Sequence, residues 1–314
     1  MTPISISARV GLMSTEQKLT PDPQQAERFS NDPGFVAALD QSGGSTPKAL
    51  KAYGVEESAY SNDEEMFDLI HEARTRVITS PVFTKERILA AILFENTLDR
   101  EIEGINTAEY LWKNKGIVPI LKIDKGLLPT DNDVQLMKDI PGLAETLAKA
   151  RAHGVFGTKE RSVLHAAHAA GIADVVKQQF EVAEEVIAAG LVPILEPEVS
   201  IETPDKAQAE AILREELLKG LDALGDVQVS LKVTIPTEDN FYAELIAHPR
   251  VARALALSGG YERDEAAQRL ARNPGLIASF SRALLEGLSA GQSDEEFNAT
   301  LNHSIEEIYK ASVA

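Results

Sequence analysis

Short apolar runs, many rich in Val and Ile, alternate along the chain with longer stretches whose apolar residues recur at helical spacing. Runs of this kind read as strands buried on both faces, and their alternation with amphipathic segments reads as βα units of a parallel sheet. Eight are present: GFVAALD (34–40), RILAAILFEN (87–96), GIVPILKID (116–124), GVFGTK (154–159), GLVPILEPE (190–198), VQVSLKVTI (227–235), ALALSGG (254–260) and GLIASFS (275–281). Over 172–189, Ile172, Val175, Val176, Phe180, Ala183, Val186 and Ile187 share one helical face, and Gly190 follows at a C-cap position. Similar stretches predict helices over 63–77, 205–224, 261–272 and 294–310. Residues 1–33 form a helical or irregular cap before the first strand, and 286–314 a closing helix with a short tail.

Eight strands separated by helices predict a closed (β/α)8 TIM barrel, one domain over 1–314. An open doubly wound sheet is the alternative, but its frequent nucleotide fingerprints, GxGxxG and GxxxxGK[ST], are both absent. No linker, composition shift or repeat marks a second domain, and 44% hydrophobic with 25% charged residues suits an ordinary globule. The chain has no Cys, so disulfides, thiolate metal sites and cysteine nucleophiles are excluded, and the reducing cytosol is compatible. No basic-then-apolar leader opens it and no apolar run approaches the roughly 20 residues that span a bilayer. A cytoplasmic protein off the membrane is expected. The net charge of −18 repels nucleic acid and anionic lipid, so neither is an expected partner, and a phosphate site must be a local gathering of cations.

A parallel barrel builds its site at the strand C-termini, so the polar residues finishing each run carry the chemistry. They are Asp40, Asp124 and Lys125, Lys159 and Arg161, Glu196 and Glu198, Lys232, Ser258, and Arg282 just after the eighth run. Lys232 interrupts an apolar strand, where a buried ammonium must be paired, neutralised or catalytic, unless it snorkels from an edge. An ordinary lysine is only ~0.1% neutral at pH 7.4, so an amine nucleophile needs its pKa depressed, and Lys159 is a nearby cation able to do it. Glu196 and Glu198 are two apart across Pro197 and share a strand face; one of them suits general acid and base work, though an exposed salt-bridged strand end reads the same way. Asp40, before a Gly-rich turn, is either part of the site or an Asx-turn residue.

Ser42, Gly43, Gly44 and Ser45 follow the first strand, and Ser258, Gly259 and Gly260 the seventh; both turns offer backbone N–H groups to phosphate oxygens. With Lys125, Arg161 and Arg282 they suit a ligand with a phosphate at each end. His165 and His168 fall i, i+3 on an expected helix without a third ligand, so no metal site is expected. Trp112 and the scattered aromatics read as packing, since they do not interleave with basic residues.

The motifs IDKG (123–126), TKER (158–161), GLVPILEPE (190–198), VSLKVTIP (229–236), LSGG (257–260) and SFSRAL (279–284), in order from about 34 to 285, resemble those of the class I fructose-1,6-bisphosphate aldolases. The resemblance implies cleavage of a sugar bisphosphate through a Schiff base on Lys232, without metal or organic cofactor. It implies Glu196 as acid and base, Lys159 as the cation assisting carbinolamine chemistry, Asp40 on the C4 hydroxyl, and Glu198 as electrostatic support. Ser42, Ser45, Lys125 and Arg161 are similar to the family's site for one phosphate, and Ser258, Gly259 and Arg282 to its site for the other. Gln41, Glu160 and Ser281 depart from the vertebrate pattern, as does a tail without its terminal tyrosine; Tyr309, the nearest, falls on the expected last helix. Two rivals stay open: a lysine-imine aldolase for another sugar phosphate, and a non-catalytic phosphosugar-binding barrel. The oligomeric state is not readable from sequence, so a homo-oligomer is left open.

Overall fold

The computed structural model describes residues 19–314. The first 18 positions of the expected cap lie outside the described residues; within the rest of it, Pro23–Asn31 is a helix whose N-cap Asp22 accepts from the N–H groups of Gln24 and Gln25. All eight apolar runs become parallel strands: β1 (Phe35–Leu39), β2 (Ile88–Leu93), β3 (Val118–Lys122), β4 (Gly157–Leu164), β5 (Val192–Val199), β6 (Val229–Thr234), β7 (Val251–Leu257) and β8 (Leu276–Ala278). Each pairs with the next in chain order from β1 to β8. At the seam the Ala38 N–H donates to the Phe280 carbonyl at 3.3 Å, so the sheet curls into the expected barrel.

Helices fill the intervals. Asp63–Thr79 begins at Asn62, whose side chain accepts from the Glu65 N–H, and carries three acids in its first turn, where the helix dipole favours them. Ala169–Ala188 ends before Gly190, which takes the left-handed conformation (φ 75°) that closes such helices. Lys206–Ala223 and Arg263–Leu270 match the expected helices within a few residues. Asp294–Ser312 opens on a full capping box between Ser293 and Glu296. The expected helix under His165 and His168 starts later: it begins at Ala169, with His168 as its cap accepting from the Gly171 N–H, while His165 pairs with Gln135.

Apart from a small cluster of Leu50, Met66 and Ile70, the core has two compartments, one on each face of the sheet. Outward residues such as Leu39, Leu93, Leu121 and Leu195 pack under the helices. Inward residues, among them Val36, Ala38, Ile92, Ile120, Ile194, Leu255 and Ile277, fill the barrel, with Phe29 below them and Trp112 packed alongside. A Cβ on Gly157 would lie 2.2 Å from the Val192 carbonyl oxygen, so only glycine lets β4 approach β5 this closely. Among the described residues no helix is long and apolar enough to cross a membrane.

Candidate active site

Strand alternation carries the interior apolar rows upward into charge. On β3, Val118 and Ile120 point inward, so Lys122 and Asp124 continue that face; on β5, Val192 and Ile194 are followed by Glu196 and Glu198. Ile194 pairs with Ser230 across β5 and β6, which puts Glu196 and Lys232, two residues further along each strand, side by side. These residues line a cavity of about 430 Å³ at the strand C-termini. Lys159 is the third residue of β4 rather than its end, because the strand runs on to Leu164 through Glu160, Arg161 and Ser162.

At the centre, one carboxylate touches two lysines. Glu196 Oε1 is 2.8 Å from Lys232 Nζ and Glu196 Oε2 is 2.8 Å from Lys159 Nζ, which is also 2.7 Å from Asp40 Oδ2. Lys159, Glu196 and Lys232 are buried. Two ammonium groups facing two carboxylates sum to zero, the condition under which such a cluster tolerates loss of water. Burial alone would push the carboxyls of Asp40 and Glu196 up, but Lys159 and Lys232 outweigh it and hold both below their ordinary range. Burial would likewise weaken the Lys159 ammonium, yet Asp40 and Glu196 raise its pKa well above that of a free lysine. Lys159 is therefore a fixed cation and a permanent hydrogen-bond donor. Glu198 behaves oppositely: burial raises its carboxyl and Arg161, 3.0 Å away, offsets only part of this.

Around this centre lie most of the residues expected to hold phosphate. Ser42 and Ser45 line the cavity and close a turn, the Ser42 N–H donating to Ser45 Oγ (3.0 Å) and Ser45 Oγ donating to the Ser42 carbonyl (2.9 Å). Ser258, Gly259 and Arg282, after β7 and β8, line the same cavity. Gly259 has φ 64°, and a Cβ there would meet Ile201 at 2.7 Å; a Cβ on Gly260 would approach the Arg282 guanidinium at 3.4 Å. Positive φ and the nearness of Ile201 thus hold both positions to glycine, beside the Arg282 guanidinium. Tyr309 packs half-buried against the helical core, away from the cavity lining.

One expected residue is not brought to the site. Lys125 pairs with Glu95 of the helix Glu95–Leu98 and is absent from the cavity lining; Lys122, one strand period before Asp124, lines it instead. The reason is parity: Lys122 and Asp124 continue the inward face of β3, whereas Lys125 is an odd step away. Lys122 Nζ is 2.7 Å from Asp124 Oδ1. Gln41, Ser279 and Ser281 also line the cavity and were not singled out as site residues, since no pattern distinguishes them from turn residues.

The family model described as fructose-bisphosphate aldolase class-I matches residues 24–238. The chain belongs to the class I fructose-bisphosphate aldolases. Relatives bearing the name fructose-bisphosphate aldolase class 1 occur in Synechocystis sp., 57% identical over 296 residues covering 94% of this chain and 99% of the relative, and in Porphyromonas gingivalis, 57% identical over 290 residues covering 92% and 99%. The barrel also superposes on the fructose-bisphosphate aldolase of Plasmodium falciparum with a TM-score of 0.69 at 22% identity, covering 94% of this chain and 96% of that one, which shows a shared fold. This aldolase is thus a carbon–carbon lyase on a TIM barrel, as its motifs implied.

Proposed function

We propose that this aldolase cleaves fructose 1,6-bisphosphate to dihydroxyacetone phosphate and glyceraldehyde 3-phosphate through a Schiff base on Lys232. The observation that carries the assignment is Glu196, with one oxygen 2.8 Å from each buried lysine. A carboxylate so placed takes the proton that Lys232 must lose before its amine attacks the C2 carbonyl. The same group returns a proton to the carbinolamine hydroxyl, which leaves as water and gives an iminium. Lys159, held cationic by Asp40 and Glu196, stabilises charge during that step.

Asp40 then accepts the C4 hydroxyl proton as the C3–C4 bond breaks and its electron pair flows into the iminium to form an enamine. Glyceraldehyde 3-phosphate departs. Protonation at C3 and attack of water on the imine release dihydroxyacetone phosphate and restore the Lys232 amine. The reverse condensation uses the same groups. Glu198 supports the lysines electrostatically through its pairing with Arg161.

We assign Ser42, Ser45, Lys122 and Arg161 to one phosphate, Lys122 taking the place of Lys125, and Ser258, Gly259 and Arg282 to the other. We also read the chain as one domain acting in the cytoplasm on free sugar phosphates, a reading supported by its lack of Cys and its net charge of −18. Borohydride trapping with dihydroxyacetone phosphate, followed by peptide mass mapping, tests the assignment. A reduced adduct on Lys232 that disappears in Lys232→Met is the expected result. A folded protein that binds the ligand yet traps no lysine would sink the Schiff-base reading.

A further inference from the structure

Among the described residues β1 and β8 share no ladder, and the one backbone hydrogen bond across their seam, from Ala38 N–H to the Phe280 carbonyl, lies near the active-site mouth. Above it, side chains take over. Gln41 Nε2 donates to Ser281 Oγ at 2.5 Å, joining the turn after β1 to the turn after β8. The Gln41 carbonyl accepts from Arg74 Nη2, and Arg74 Nη1 donates to Thr97 Oγ1 at 2.6 Å, on the short helix after β2. Glu95 of that helix pairs with Lys125 after β3. Four successive loops are thereby linked in series around the cavity rim.

Arg74 is the unusual member. It lies on the helix Asp63–Thr79, is 3% exposed and makes no ion pair among the described residues; its bonded acceptors are a carbonyl and a hydroxyl. A guanidinium buried on neutral partners is unfavourable for stability alone, but its rigid fork reaches two loops at once in a way a lysine ammonium does not. The loop it grips carries Asp40, whose charge it faces, and Ser42. At Gln41 a neutral donor makes the link, whereas a carboxylate would add negative charge between two phosphate sites.

We propose that Gln41 is a spacer fixing the separation of the two phosphate loops, with Arg74 the positioning residue that holds Gln41 in place. The spacer sets this aldolase for a ketose with a phosphate at both ends; the inference rests on the phosphate assignment above. Its signature is a split between substrates, because a ligand anchored at one end does not sense the distance between anchors.

The test is kcat/KM for fructose 1,6-bisphosphate and fructose 1-phosphate in the wild type, Gln41→Leu, Ser281→Ala and the double variant. A misplaced anchor lowers kcat/KM for the bisphosphate about tenfold or more, while the monophosphate changes less than about twofold. The double variant is expected to be no worse than the poorer single one, since both remove the same bond. Arg74→Lys, which also loosens the loop carrying Asp40, should lower kcat/KM on both substrates, with the larger loss on the bisphosphate. Equal losses on both substrates, or additive losses in the double variant, overturn the spacer. If Gln41→Leu does not fold, Ser281→Ala and Arg74→Lys carry the same comparison. Failure of the wild type to form the Lys232 adduct overturns the catalytic assignment and the spacer with it, and is recognised because no substitution is involved.

Discussion

At the strand N-termini the barrel interior ends in the rings of Phe29 and Phe156, 5.2 Å apart, whereas at the C-termini it ends in Lys159, Lys232, Asp40 and Glu196. Both ends contain a cation, part-buried below and buried above, and the partners differ in kind. Arg253, at the lower end, donates to the carbonyls of Phe29 and Asp32 and so caps the C-terminus of the helix Pro23–Asn31. A carbonyl fixes a cation but cannot take its proton. At the upper end the partners are carboxylates, which can. Carbonyl partners thus yield a rivet below and carboxylate partners a proton-transfer site above, and substitutions at the two ends should separate stability from turnover.

The largest effect is expected at the top. Lys232→Met removes the proposed nucleophile and should lower kcat by about 10⁴-fold or more, measured by coupled assay on protein whose far-UV circular dichroism is unchanged. Activity within about tenfold of wild type would show that another group forms the imine. At the bottom, Phe29→Ala deletes a ring that is 0% exposed and should destabilise by about 3–5 kcal/mol in urea unfolding. Turnover per folded molecule should stay within about twofold of wild type. A matching collapse of kcat would mean that the two ends are not separable.

Between these extremes lies Glu160, on the outward face of β4 beside Lys159, fully buried with neither carboxylate oxygen hydrogen-bonded. Burial pushes its pKa well above the ordinary 4.5, with Asp124 adding to the shift and Lys159 opposing it. The folded state therefore keeps a proton that the unfolded chain releases, so stability falls as pH rises from about 4.5 upward. Glu160→Gln removes that slope and should be more stable than wild type at pH 8 by about 1–3 kcal/mol, with little difference at pH 4. Asp40 and Glu196 act in the opposite sense. Their lowered pKa values give stability that is present above the ordinary carboxylate range and lost as pH falls below it through the lowered values. A wild-type unfolding profile that did not weaken toward acid would contradict the top cluster as described.

The same contrast explains what was legible in the sequence. All eight strands were readable because most of their residues are buried on both faces and so read as apolar runs; the run at β2 spans ILAAIL, whereas ALALSGG caught β7 only from Ala254 and missed its start, where Arg253 breaks the pattern. The lower end follows the apolar rule except at Arg253. Legibility fails where function breaks that rule: the run GVFGTK stops at 159, but β4 continues to Leu164 through Glu160, on the outward face, and Arg161, which lines the cavity. The hairpin Glu101–Ile102 with Ile105–Asn106 and the strand Val134–Gln135 are two residues each, too short to show a period. Glu196, Lys159 and Lys232 were nameable as charges in apolar strands. The bridging of both lysines by one carboxylate was not, because it depends on register between β4, β5 and β6.

Lys122 and Lys125 give the finest test of that register, and the smallest effect. The motif KIDK offers two lysines, and strand parity decides between them: Lys122 lines the cavity, whereas Lys125 pairs with Glu95 at about one-third exposure. A part-exposed ion pair is worth about 0.2–1 kcal/mol. Lys125→Ala should therefore cost no more than that in stability, and the KM for the bisphosphate should rise less than about threefold. Lys122→Ala removes a cation from the phosphate side of the cavity and should raise KM about tenfold or more, as loss of a charge-assisted hydrogen bond implies. Because neither lysine touches the C2 or C4 chemistry, kcat should change less than KM in both. If Lys125→Ala proves the more damaging, β3 presents the other face to the substrate, and the parity that places Asp124 and Lys122 in the cavity is wrong as well.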